Sequence, residues 1–167
     1  MVTKHLKPEW LHLAVEKQRN QHAVFATFEP KTLRDLKEQL KKKEVIGFAL
    51  DQYAGPPVSV RVPFLGRPVG TSTAAATIAK RFGATILPVF QYREGRGKMV
   101  IEYLPPFEWV KDENSRIEIA KNTALLTEII EDKVREFPDH WLWTHRRFKG
   151  DLSPLRDGEW REGRSRR

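Results

Sequence analysis

Apolar positions along this chain follow a helical period in some stretches and a two-residue alternation in others. In "PEWLHLAVEKQRNQ" (Pro8–Gln21), Trp10, Leu11, Ala14 and Val15 can share one helical face behind a proline suited to a first turn. In "KTLRDLKEQLKKK", Leu33, Leu36 and Leu40 form a stripe, and Thr32 with Asp35 is spaced as a capping box. The continuous apolar run "VIGFAL" (Val45–Leu50) predicts a central, parallel strand buried on both faces. Val58, Val60 and Val62 alternate with Ser59 and Arg61 in "VSVRVPF", the pattern of a half-exposed strand. "TSTAAATIAKRFG" predicts a helix with capping residues at its start and Gly83 at its end. "ATILPVFQY" and "KMVIEYL" read as two strands around the turn-like "REGRGK". A long amphipathic helix follows in "SRIEIAKNTALLTEIIEDKVREF", with Ile117, Ala120, Ala124, Ile130 and Val134 at helical spacing, and Pro138 opens a new segment. This order predicts an α/β fold with a mixed, largely parallel sheet flanked by helices. Residues 1–149 are expected to form the α/β domain and residues 150–167 a basic, flexible tail.

Composition narrows the class. The 167 residues are 40% hydrophobic and 31% charged, values of a folded soluble or peripheral protein. Cysteine is absent, which removes disulfides, thiolate nucleophiles and zinc–thiolate sites. No run of about 18 apolar residues occurs, so any membrane contact made by this sequence is expected to be peripheral. Lys and Arg number 30 against 22 Asp and Glu, a net charge of +8. Between Arg146 and Arg167 eight cations face four anions, so this short segment holds +4 of that excess. Such charge attracts polyanions, whether nucleic acid, anionic lipid headgroups or phosphorylated glycolipids; it also fits a solvated tail.

Three places could carry chemistry. Asp51 and Gln52 close the predicted buried strand, at the sheet edge where open α/β folds bind ligands; Asp51 could equally be a turn residue capping "YAGPP". Gly66 and Gly70, followed by Thr71, Ser72 and Thr73 at a helix start, could receive an anion. The stretch matches neither the phosphate-loop nor the dinucleotide glycine pattern, so a plain capped helix is the competing reading. The five histidines form no His-Glu-x-x-His pair, and no metal site is expected. The third place is "DHWLWTHRRFKG" (Asp139–Gly150), where indoles and cations stand side by side. Trp141 is read as packing inward, with Trp143 and the arginines at a surface that suits anionic headgroups.

"LKKKEVIGFALDQYAGPPVSVRVPFLGRPVGTSTAAATIAKRFGATILPVF", followed by "FPDHWLWTHRRFK", resembles the lipid A biosynthesis acyltransferases of Gram-negative bacteria. These are part of a wider group of lysophospholipid and glycerol-phosphate acyltransferases. The resemblance spans Lys4 to Lys149. It implies an acyltransferase-like fold and a membrane-associated enzyme that uses no cofactor. The implied reaction moves a fatty acyl chain from acyl carrier protein or acyl-CoA to a glycolipid or lysolipid hydroxyl. It also implies a place on the cytoplasmic face of the inner membrane and a part in lipopolysaccharide synthesis.

By this resemblance Asp51 is the catalytic candidate. Gln52, Arg146, Arg147 and Lys149 are substrate-binding candidates, and Lys4 stands near a position where relatives carry arginine. The family's signature, His-x-x-x-x-Asp/Glu, pairs a histidine base with the acid that orients it. This sequence departs from that pattern. The residues five beyond His5, His12, His22, His140 and His145 are Trp10, Lys17, Thr27, His145 and Gly150. The chain therefore reads as the carboxyl-terminal part of such an enzyme, an incomplete domain inactive by itself, or as a relative that lost its chemistry. An exposed sheet edge in such a domain would favour a homodimer. The alternative is a non-catalytic basic module for anionic lipid or nucleic acid; nucleic acid is disfavoured because the cations are dispersed.

Overall fold

In the computed structural model, residues 7–22, 24 and 32–150 are described, Thr32 and Leu33 by backbone only. Lys4, the side chain of the Thr32 cap and the tail beyond Gly150 lie outside the described residues. The backbone divides into two compact units between Ala49 and Leu50.

The first unit carries two helices, α1 (Glu9–Gln21) and α2 (Thr32–Lys41), both where periodicity places them. Leu36 is buried on the α2 stripe, and Arg19 pairs with Glu16 one turn away on α1 at 2.6 Å. The strand expected over Val45–Leu50 is not formed. Residues 44–50 have no regular structure, and Val45 is 94% exposed. A strand buried on both faces needs a hydrogen-bonded neighbour. Among the described residues the strands pair only as two separate hairpins, and Val45–Leu50 joins neither.

The second unit begins with the hairpin β1 (Ser59–Phe64) and β2 (Arg67–Ser72), in which Val62 pairs with Val69 and Arg61 with Gly70. Its two-residue turn holds Leu65 (φ 48°) and Gly66 (φ 78°) in left-handed backbone. That is the turn handedness matching the twist of an antiparallel pair. Glu131 from the last helix accepts the Leu65 N–H at 2.7 Å, fixing the turn from outside. Helix α3 (Ala74–Phe82) buries Ala75, Ala76, Ile78 and Ala79 and ends on Gly83 at φ 63°. A second hairpin, β3 (Val89–Glu94) with β4 (Lys98–Tyr103), turns through Gly95 and Gly97, both at positive φ.

Both sheets are two-stranded and antiparallel, which overturns the expected largely parallel sheet. The physical reason lies in the connections. Parallel neighbours need a crossover of a dozen or more residues, whereas Leu65–Gly66 and Gly95–Gly97 send each strand straight back along its partner. The expected strand over "ATILPVFQY" is correspondingly shorter. Residues 84–88 are irregular but still flank the hairpin, with the Phe107 N–H donating to Ile86 and the Leu104 N–H to Pro88. β3 and β4 are sided unequally. Tyr92 stacks on Phe137 at 4.2 Å between centroids, and Glu102 meets Lys133 at 2.8 Å. On the opposite face Val89, Met99, Ile101 and Tyr103 are exposed.

Helix α4 (Ser115–Glu136) starts where the Asn114 side chain accepts the N–H groups of Arg116 and Ile117, a helix cap. It packs on β1, and the core there contains Val62, Phe64, Val69, Ala124 and Val134. Five of its eight buried residues are polar. Glu118, Asn122, Thr123, Thr127 and Glu131 are buried, while Ile117, expected on the core stripe, is exposed. Each polar group is satisfied locally. Glu118 receives Lys80 at 2.7 Å and the Trp109 indole at 2.6 Å, which hold its carboxyl below the usual range. Asn122 brackets the backbone of Val110, accepting its N–H at 3.0 Å and donating to its carbonyl at 2.7 Å. Thr123 and Thr127 donate to carbonyls one turn back.

Candidate active site around Asp51

Asp51 opens the irregular segment that leads into β1, rather than closing a buried parallel strand. It is half-buried and Gln52 is exposed. What holds the segment is β2 on one side and the end of the described chain on the other. The Ala54 N–H donates to the Gly70 carbonyl at 3.0 Å. Gly70 is obligatory at this approach: a β-carbon would stand 2.3 Å from the Ala54 carbonyl oxygen and 3.1 Å from the Tyr53 ring. Gly150 (φ 103°) closes on the other side, where a β-carbon would lie 2.9 Å from the Tyr53 hydroxyl.

Arg147 joins these pieces. Its side chain has no exposed surface. Nη1 donates to the carbonyls of Gln52 at 2.5 Å and Gly70 at 3.2 Å, and Nη2 donates to the Thr71 hydroxyl at 2.7 Å. The guanidinium also lies 5.2 Å from the centroid of Phe64, a cation–π contact. Burial pushes its pKa down to about 10, and the charge of Asp51 acts in the opposite direction. It therefore keeps its charge at neutral pH. Among the described residues Asp51 acts on Arg147 through its charge and not through a direct ion pair.

The sequence "HRRFK" thus divides. Arg147 points inward, not towards an external phosphate as expected, and its hydrogen bonds are spent on the protein's own backbone and Thr71. Arg146 and Lys149 are exposed; the Lys149 ammonium stands 5.9 Å from the Tyr53 ring centroid. Trp141 packs on Phe64 at 5.4 Å, and Trp143, edge-on to Trp141 at 4.8 Å, is 54% exposed beside Leu142 at 65%. Asp51, Gln52, Arg147 and Lys149 are brought around one loop. Lys4 lies outside the described residues.

The possible anion cradle at Thr71–Thr73 is not available as such. Arg67–Ser72 is strand β2, Thr71 is taken by Arg147, Ser72 accepts the Ala74 N–H at 3.3 Å, and Thr73 donates to the Val58 carbonyl at 3.2 Å. Tyr53 and Gly150, which shape the loop, carry no motif that marks them in sequence; Gly70 stands out there, but as part of an anion cradle, whereas it meets the backbone of Ala54. A carboxylate placed this way can accept a hydrogen bond from a hydroxyl or orient an imidazole.

A sequence model described as bacterial lipid A biosynthesis acyltransferase matches residues 1–150. The chain belongs to this family. It is 32% identical over 123 residues to a lipid A biosynthesis lauroyltransferase of Escherichia coli (strain K12), covering 71% of this chain and 38% of that relative. It is 31% identical over 120 residues to a lipid A biosynthesis palmitoleoyltransferase of the same organism, covering 70% of this chain and 37% of the relative. A lipid A biosynthesis acyltransferase of Shigella flexneri matches at the same identity and coverage. The aligned part of the chain spans well under half the length of these relatives.

Proposed function

We propose that this chain is the part of a lipid A-type acyltransferase that presents Asp51 to the reaction. In the whole reaction a fatty acyl chain passes from the thioester of acyl carrier protein or acyl-CoA to a glycolipid or lysolipid hydroxyl. The hydroxyl oxygen attacks the thioester carbonyl carbon as its proton goes to a histidine base, the carbon–sulfur bond breaks, and the departing thiolate takes that proton and leaves as the thiol. The family match over residues 1–150 carries this reading. The half-buried Asp51, free of a direct ion pair among the described residues, supports its place at the site.

No histidine of this sequence is followed five residues later by an acid, so the proton-accepting pair is not encoded here in the family's form. The chain alone is then a substrate-facing part without transfer activity. Arg146 and Lys149, exposed beside Leu142 and Trp143, suit anionic headgroups or an acidic acyl carrier, which supports a peripheral position of the chain at a membrane surface. Among the described residues no helix is long and apolar enough to cross a membrane.

Two measurements test this. Purified chain incubated with acyl-acyl carrier protein and a lipid A precursor should yield no acylated product; robust transfer would overturn the division of labour. In flotation, the chain should rise with phosphatidylglycerol vesicles and not with phosphatidylcholine vesicles. Equal flotation with both, or steep salt-dependent binding to an oligonucleotide alone, would oppose the lipid-facing role.

A further inference from the structure

A buried arginine is a costly way to fill space. An unbranched apolar side chain would occupy the same slot beside Phe64 without taking a charge out of water. What only a guanidinium can do is donate in several fixed directions from one plane. Arg147 uses this to reach acceptors on separate stretches: Gln52 on the Asp51 loop, and Gly70 with Thr71 on β2. Its Nε–H, also buried, makes no hydrogen bond among the described residues. The side chain is thus spent on relating segments to one another and not on fully satisfying its own donors.

The same contact region contains the closest backbone approaches of the loop. Gly70 backs onto Ala54 and Tyr53, and Gly150, three residues beyond Arg147, meets the Tyr53 hydroxyl. Inward pointing of Arg147 also accompanies the outward exposure of Arg146 and Lys149 on either side of it.

We propose that Arg147 is a positioning residue: it fixes the loop from Asp51 to Gly55 against β2 and so determines where the Asp51 carboxylate stands. The assignment rests on the preceding reading only for the task Asp51 performs there. The positioning itself is a property of this chain and is measurable without any acyl substrate.

The test uses the full chain with Arg147→Met, Arg147→Lys and Thr71→Val. Amide hydrogen exchange is followed at Ala54 and at Asn122–Thr127 in α4, together with the carbon-13 signal of the Asp51 carboxylate. In Arg147→Met the Ala54 amide should exchange about tenfold faster, the effect of losing roughly one hydrogen bond's worth of local protection, while α4 is unchanged. The Asp51 signal should move. Arg147→Lys keeps the charge without the fork, so it should restore only part of the Ala54 protection and leave the Asp51 signal displaced from wild type. Should Arg147→Met not fold, Thr71→Val removes one acceptor alone and should still speed Ala54 exchange without touching α4. Unchanged Ala54 exchange in the folded variants, or a loss of protection that α4 shares equally, would overturn the proposal. A loop held in this way in a chain that never meets an acyl substrate would instead sink the preceding reading and leave this one standing.

Discussion

Gly70 backs directly onto the carbonyl oxygen of Ala54, leaving 2.3 Å where a β-carbon would have to fit. The obstacle is backbone, which cannot rotate away as a side-chain tip can. Gly70→Ala should therefore destabilise the second unit by about 1–3 kcal/mol, the usual range for forced overpacking. Gly47→Ala is the control, because nothing lies within 4 Å of the equivalent position there. Urea midpoints of the two variants check the contrast.

Phe64 has no exposed surface and touches Trp141, Phe148 and the Arg147 guanidinium. Phe64→Ala should cost about 3–5 kcal/mol, as deletion of a buried aromatic ring does. Trp141 should lose its fixed environment in the same variant, read as a red shift in its emission at temperatures where the helices remain folded.

Asn122 is fully buried and supplies both partners to the backbone of Val110. Asn122→Leu keeps the volume and removes both. The cost should be about 1–3 kcal/mol for each backbone group left without a partner or water. Thermal denaturation gives the loss, and exchange of the Val110 amide shows where it falls.

Charge pairing sets both limbs of the pH dependence. Lys80 and Trp109 lower the Glu118 pKa below its ordinary 4.5, and Lys121 lowers that of Asp112 below 3.8. A lowered carboxyl pKa contributes stability that is complete above the unfolded value and disappears as pH falls through the folded one. Glu118→Gln should flatten that acid limb. Glu102 and Glu136 raise the pKa of Lys133 above 10.5, so its contribution is complete below that value and fades as pH climbs through the folded pKa. Lys133→Met should remove that alkaline loss. Denaturation midpoints across both ranges check the two signs.

The helices were legible from their period and, for two of them, from an end: Pro8 before α1 and Gly83 after α3. β1 and β4 were legible from alternation and from the glycines of the second turn. The sheet arrangement was not. Val45–Leu50 has the composition of a central strand, but pairing is a property of neighbours that its own residues do not contain. Leu65–Gly66 was equally opaque, since nothing local marks a leucine for left-handed backbone and the carboxylate that accepts its N–H, Glu131, is distant in sequence. At the candidate site the sequence marked Asp51 and the basic motif. It did not separate Arg147 from Arg146, because two adjacent arginines look alike until Gln52, Gly70 and Thr71 provide acceptors for one of them.

The uncovered face of the second hairpin has a practical consequence. Val89, Met99, Ile101 and Tyr103 form an oily panel on a chain whose net charge otherwise favours dispersal. Kosmotropic salts will screen the repulsion and sharpen the aversion of water for that panel at the same time. Ammonium sulfate should accordingly bring the chain onto a phenyl resin at modest concentration, and a mild detergent should release it still folded.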